Sequence, residues 1–375
     1  MNDTRPLHFH WSLSSVDAVM QRVKRETIHS GVPDLDTHIA FCREAERCGI
    51  ESLLVAFGFA RPDPFLWSAT LGAHTEEINF LTAIRSGVSS PTYFVQQINT
   101  LSVLTGGRVY VNIVAGRTPA EHHFYGDFLS HDERYERTDE FWQICHALWR
   151  RDGPVNFAGR HYRVENAQIR TPFLARTGNR PKIYSGGNSE QAIQLAIRHS
   201  DCLLTFPEDP ERLAERIRPV LESGTRVGLV TSMIAKSTRE EALAAAQALI
   251  DRAGEQAREV QIERRARLDS VGFKSMYELA DKDTSWVTPY LWTGAVPYLG
   301  ATAISLVGST DDMVKAIGEY RDAGVTEFLF NGFPDLEQMR FFGAEILPRI
   351  REEEASRAAA ARPSPSKVGP ELGGL

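Results

Sequence analysis

The chain has 375 residues, of which 42% are apolar and 24% charged, a composition that builds a folded protein with a large core and excludes a fibrous or low-complexity chain. A net charge of −7 argues against a nucleic-acid or an anionic-membrane partner. No apolar run reaches membrane-spanning length and the amino-terminal MNDTRPLHFHW lacks an apolar signal core, so a cytoplasmic location is expected.

Taken in order, the chain alternates strand and helix. A strand over 7–13 carries His8 and His10 on one face, with His10 the nearer to its carboxyl end. A basic segment follows (Arg22, Lys24, Arg25), expected as a solvated face or as a surface for an acidic carrier of the substrate. Helix 36–48 stops at Gly49. Strand 52–56, helix 65–73 and strand 78–82 come next, and then helix 91–104 with Pro91 at its start. Strand 108–113 places Asn112 near its carboxyl end. A polar loop with Glu121, His122, His123 and Tyr125 leads to helix 131–150. There Ser130 and Glu133 have capping-box spacing, and His131 and Tyr135, four apart, share a face of the first turn.

Residues 155–172 read as a hairpin turning at Ala158-Gly159. Strands at 182–185, 201–205 and 227–235 alternate with helices at 190–199, 210–222 and 239–253. An insertion over 254–300 is charged from Glu259 to Arg267 and then aromatic (Trp286, Tyr290, Trp292, Tyr298). It suits a lid over a site, or else a packing appendage or subunit contact. Helix 310–323, strand 327–330 and helix 336–350 complete the ordered part. Eight short strands separated by helices predict an α/β fold, a closed (β/α)8 barrel of TIM type with insertions, rather than an open doubly wound sheet. One domain over 1–352 is expected, with insertions near 153–181 and 254–300. The Ala-, Ser-, Pro- and Gly-rich segment 353–375 is expected to be disordered.

Three patterns bear on chemistry. Tyr184-Ser185-Gly186-Gly187-Asn188-Ser189-Glu190 is a strand, a glycine turn and a helix start, which lets backbone N–H groups approach an anion. Many such turns are only structural. His122-His123 has no carboxylate at metalloenzyme spacing, so no metal is expected, and the four cysteines lack paired spacing and read as buried thiols. There is no GxGxxG after the first strand and no P-loop, so nothing supports a nicotinamide site.

Asn112-Ile-Val-Ala-Gly116 at a strand end, a loop, and then HDERYERTDEF from His131 resemble the bacterial luciferase-like flavin-dependent monooxygenases, alkanesulfonate monooxygenase branch. Similar segments recur from Leu7 to about Ile350. The resemblance implies a TIM barrel that uses FMN, entering as FMNH2, with O2 as co-substrate, and oxygenates a small molecule through a flavin peroxide. It places the FMN phosphate at Gly187, Asn188 and Ser189, lines the flavin with His131 and Tyr135, and sets Ala83 and Asn112 against the ring system. It also implies a separate NAD(P)H:FMN reductase and a homodimer or homotetramer.

Against the desulfonating relatives this chain has Arg61 for a cysteine, Val230 and Ser232 for an arginine and a histidine, Leu299 for an arginine and Phe333 for a tyrosine. Val230, Ser232, Trp292, Leu299 and Phe333 are therefore the expected substrate pocket, and His10, Arg61 and Arg85 the candidate catalytic residues. Loss of the fixed cations predicts a small, uncharged substrate, because an unpaired buried sulfonate is costly. The alternatives are an alkanesulfonate monooxygenase releasing sulfite and aldehyde, a deazaflavin-dependent hydride-transfer enzyme of the same fold, and a flavin-binding protein with little catalysis. Glu121, His122 and Arg117 are expected at the substrate entrance.

Overall fold

A computed structural model describes residues 5–13, 34–59, 61–114, 116, 118–176, 178–330 and 336–360. The barrel strands are β1 (His8–Ser12), β2 (Ser52–Val55), β3 (Asn79–Ile84), β4 (Val109–Ile113), β7 (Lys182–Gly186), β8 (Cys202–Thr205), β9 (Arg226–Lys236) and β12 (Glu327–Phe330). Among the described residues these eight pair in parallel and in sequence order, and β12 returns to β1 to close the barrel. The expected (β/α)8 fold is what the chain adopts. Closure leaves no strand edge open and sends every β-to-α loop to one end.

Helices cover the outside: α1 (Leu35–Arg47), α2 (Pro64–Gly72), α3 (Pro91–Leu104), the short α4 (Pro119–Phe124), α5 (His131–Arg150), α6 (Glu190–His199) and α7 (Pro210–Glu222). The carboxyl-terminal half adds α8 (Arg239–Ala266), α9 (Val271–Ala280), α10 (Val296–Leu299), α11 (Thr310–Asp322), α12 (Leu336–Phe341) and α13 (Leu347–Ala360). Their starts follow local chemistry. Ser130 and Glu133 form the expected capping box on α5, and Asp63, Ser90, Thr118 and Asp209 cap helices that begin with proline. The principal core lies between barrel and helices. Phe9, Trp11, Phe328, Phe330 and Phe342 pack there at ring separations of 4.9–6.4 Å.

The hairpin is β5 (Val155–Ala158) with β6 (Arg163–Ala167), and all four cysteines are buried free thiols, as expected. Three expectations need amendment. Residues 305–309 form a strand, β11, which pairs with the outer half of β9 and carries β10 (Leu291–Trp292) on its far edge. Helix α8 runs on to Ala266, past a break at Gly254 (φ 70°), so the charged half of the insertion is mostly helix. Helix α13 continues to Ala360, beyond the point where order was expected to end; 361–375 lie outside the described residues, as do Arg22, Lys24, Arg25 and Arg117. No helix among the described residues is long and apolar enough to cross a membrane.

Candidate active site

Side chains alternate along each strand, so Leu54, Ala83, Asn112, Gly186, Leu204, Val230 and Leu329 all face inward near the carboxyl ends of their strands. They line one cavity of about 250 Å³. The loops after β2, β3 and β4 add Phe57, Arg61, Arg85, Val114 and Gly116, and α5 adds His131 and Tyr135. This is the end of the barrel where the fold places ligands.

One wall of the cavity is the glycine turn after β7. Gly187 has φ 152°, and a Cβ there would stand 2.6 Å from Ala192 Cβ and 3.5 Å from Tyr135 Oη. Only glycine fits. Ser189 caps α6, its hydroxyl accepting from Ala192 N at 3.2 Å, and lies beside the Tyr135 phenol. Burial raises the Tyr135 pKa, so its phenol stays protonated as a donor. Asn188 braces the turn instead. Its Oδ1 accepts from Thr205 Oγ1 at 2.8 Å and from Phe206 N at 3.4 Å, tying the turn to the end of β8. The His131 ring lies 5.0 Å from that of Tyr135, tilted by 54°, with its Nδ1 on Asp132 at 3.0 Å.

The opposite wall holds two polar groups with unused capacity. Asn112 Oδ1 is buried without a hydrogen-bond partner among the described residues. Arg85 Nη2 donates to Glu121 Oε2 at 2.9 Å, and both residues are 5% exposed. Beneath them, His122 Nδ1 lies 3.3 Å from Asp127 Oδ2, and Asp127 takes two bonds from Arg137. Burial, with Arg134 and Arg85 adding to it, lowers the His122 pKa and keeps that imidazole neutral. Gly116 accommodates the ring, since a Cβ there would overlap His122 Nε2.

The rim was less legible. Ser270, Val271, Gly272 and Phe273, at the start of α9, line the cavity together with Thr205 and Phe206. Phe273 meets Phe206 edge-on at 5.2 Å, and Asp269 joins Arg134 of α5 at 2.6 Å. The insertion therefore does reach the mouth, but through this segment and not through its aromatic half. The one signal in the sequence was Ser270 at cap spacing before two apolar residues.

Ten expected site residues meet in this cavity: Arg61, Ala83, Arg85, Asn112, His131, Tyr135, Gly187, Asn188, Ser189 and Val230. Four others do not line it. His10 is fully buried at the opposite end of the barrel, held by Ser52 Oγ at 2.8 Å and Glu327 Oε2 at 3.1 Å. It pairs in register with the first residue of β2, so its inward-facing ring lies low in the barrel. Ser232 misses because β9 leaves the barrel at that point to pair with β11, and its hydroxyl donates to Thr302 O at 2.7 Å. Trp292 is buried 6.5 Å from Trp286 in a cluster with Ile234, Ala242 and Val307, against which Leu299 also packs. Phe333 lies outside the described residues.

The luciferase-like monooxygenase family model matches residues 8–327. The chain belongs to this family. Among solved structures it is similar to riboflavin lyase (RcaE), crystallised with modified FMN and the substrate riboflavin, at 20% identity and a TM-score of 0.71 over 93% of this chain and 92% of that one. EDTA monooxygenase (EmoA) from Chelativorans sp. BNC1 is also 20% identical, with a TM-score of 0.69 over 93% and 94%. An F420-dependent secondary alcohol dehydrogenase is 18% identical, with a TM-score of 0.64 over 92% and 100%. At these identities the likeness speaks to the fold.

Two features of this site suit the phosphate and the ring edge of a flavin. The Gly187 turn can be approached closely by an anion, with α6, Ser189 and Tyr135 supplying donors. Across the cavity, the orphan Asn112 Oδ1 is an acceptor suited to an imide N–H on a ring edge.

Proposed function

We propose that this protein is a monooxygenase that takes reduced FMN and dioxygen and oxygenates a small, uncharged organic molecule. A separate NAD(P)H-dependent reductase supplies the reduced FMN. The observation that carries this reading is the joining, in one cavity, of an anion cradle at Gly187–Ser189 to a wall of Leu54, Ala83, Leu204, Val230 and Leu329. Reduced FMN supplies the electrons and the dioxygen chemistry that no amino-acid side chain provides.

Binding, orientation and exclusion of water are left to the chain. Ser189, Tyr135 and the turn backbone would hold the phosphate, and Asn112 would orient the ring edge. Phe206, Val271 and Phe273 shield the mouth, which protects any reactive species from water. Val230 stands on the cavity wall where the desulfonating relatives carry an arginine, and Arg85 is already ion-paired to Glu121. Neither provides the free cation that a sulfonate needs.

The test supplies photoreduced FMN to the protein, first without and then with oxygen. Reduced FMN should bind more tightly than oxidised FMN, as expected of a diffusible donor that enters reduced; equal affinities would count against this mechanism. In the presence of oxygen, short alkanesulfonates should release little sulfite, whereas neutral sulfur compounds, amines or alkyl chains should couple oxygen uptake to product. Efficient sulfite release would overturn the neutral-substrate reading and give the sulfonate to Arg61 or Arg85.

A further inference from the structure

Arg85 is used differently from Arg108, Arg137 and Arg180, and it leaves two nitrogens unpartnered where the buried Arg134 and Arg321 leave one. Arg108 gives four hydrogen bonds to Gly72 O, Thr75 O, Thr75 Oγ1 and Ile78 O, which ties down the loop before β3. Arg137 forms a two-bond fork with Asp127, and Arg180 does the same with Asp201. Those are structural arginines with their donors spent. Among the described residues Arg85 makes a single ion pair, to Glu121, and its Nε and Nη1 are buried without a hydrogen-bond partner. Unlike Arg108, Arg137 and Arg180, it lines the cavity. Its guanidinium lies 5.1 Å from the centroid of Phe57, which restricts where the donors point.

Charge then decides which acceptor those donors can bind. Arg85 and Glu121 are each about 5% exposed, and together they are neutral. A carboxylate or sulfonate placed on Nε and Nη1 would give the buried cluster a net negative charge, because Glu121 already balances the guanidinium. A neutral acceptor oxygen adds no charge and satisfies donors that are costly to leave unmade. We propose that Arg85 and Glu121 form a charge-neutral donor site that selects substrates bearing a carbonyl-type oxygen, such as amides, esters or ketones, over anions of the same skeleton. Arg85 binds the oxygen. Glu121 is a positioning residue that cancels the charge and fixes the fork. The inference rests on the reading of this cavity as the substrate site, and it narrows the class of neutral substrate.

The experiment is binding of hexanamide and hexanoate to the FMN-loaded, oxidised protein, followed by calorimetry. It needs neither oxygen nor turnover, so absence of oxygen-dependent chemistry would refute the proposed function without touching this result. Wild type should bind hexanamide about tenfold or more tightly than hexanoate. Glu121→Gln exposes the Arg85 charge and should reverse that order, chiefly by tightening hexanoate. Arg85→Met should weaken hexanamide about tenfold and leave the FMN affinity unchanged. The double variant Arg85→Gln/Glu121→Gln, neutral at both positions, should keep the amide preference and guards against a single variant that fails to fold. Wild type preferring hexanoate, or an unchanged ratio in Glu121→Gln, would overturn the proposal. So would loss of FMN affinity in Arg85→Met with hexanamide binding intact, which would give Arg85 to the cofactor.

Discussion

Two buried polar clusters sit inside one barrel, at opposite ends, and they are built differently. At the amino end, Glu327 is held by His10 at 3.1 Å and by Arg226 at 2.9 Å. Beside it Glu51 takes His8, Lys182 at 3.1 Å and Tyr110 at 3.0 Å. Each of these carboxylates has more than one cation or donor close by, although Glu327 Oε1 meets Arg226 as an ion pair without hydrogen-bond geometry. At the carboxyl end more groups are under-used: Asn112 Oδ1, Arg85 Nε and Nη1, Glu121 Oε1 and His122 Nε2 have no hydrogen-bond partner among the described residues. Burial alone therefore does not mark a site. A cluster whose charges are paired within the protein stiffens the barrel floor, whereas one with spare donors and acceptors beside a cavity is arranged for something else.

The sharpest way to break this comparison is at the floor. Glu327→Ala strands Arg226 and His10 without their shared anion, and should cost about 3–5 kcal/mol of stability in denaturant unfolding. FMN affinity of the remaining folded protein should be unaltered. Burial opposes ionisation of Glu327, but the hydrogen bond and charge of His10 and the charge of Arg226 outweigh it and hold the carboxyl down to about 2. Its contribution is thus complete above the ordinary glutamate pKa and lost as pH falls from there through about 2. Wild type should lose stability over that interval, and Glu327→Gln should lose less. A flat wild-type profile would contradict the pairing.

Next in size is Trp292→Ala. The indole is buried against Trp286, Ile234 and Val307, away from the cavity, so about 3–5 kcal/mol of stability should be lost with no change in flavin affinity. Weakened flavin binding in the folded variant would restore Trp292 to the pocket.

Legibility in the sequence follows the same division. The eight barrel strands were legible because β-branched and aromatic runs alternate with capped, amphipathic helices. The cradle at Gly187 was legible because strand, double glycine and capping serine stand in consecutive order. His10 was misplaced because alternation shows which face a side chain occupies, but not how high along the barrel it lies. That height depends on the register with β2 and β12, set by residues some forty and three hundred positions away. Ser232 and Trp292 were misplaced for a related reason: β9 changes partner at residue 232, and nothing local in the sequence signals the departure. Glu121 was placed at the entrance, but its pairing with Arg85 is a contact between α4 and the loop after β3 that only the fold brings together.

Smaller effects sharpen the upper cluster. Ser189→Ala removes the proposed phosphate donor and the cap of α6, so FMN should weaken by ~1–2 kcal/mol and the melting temperature should fall slightly. Riboflavin affinity should barely change. Asn112→Ala should cost about 1 kcal/mol of binding for FMN and riboflavin alike, since both carry the same ring. A loss confined to FMN would place Asn112 at the phosphate.

The most direct test of the cavity as an FMN site is to titrate FMN and riboflavin into wild type and Gly187→Ala. The added methyl would press on Ala192 and intrude where the turn approaches Tyr135, at the cradle and not at the ring. Wild type should bind FMN far more tightly than riboflavin, and in the variant that gap should largely close through loss of FMN affinity. Equal binding of the two ligands by wild type, or a gap that survives the substitution, would contradict the assignment of the phosphate to this turn.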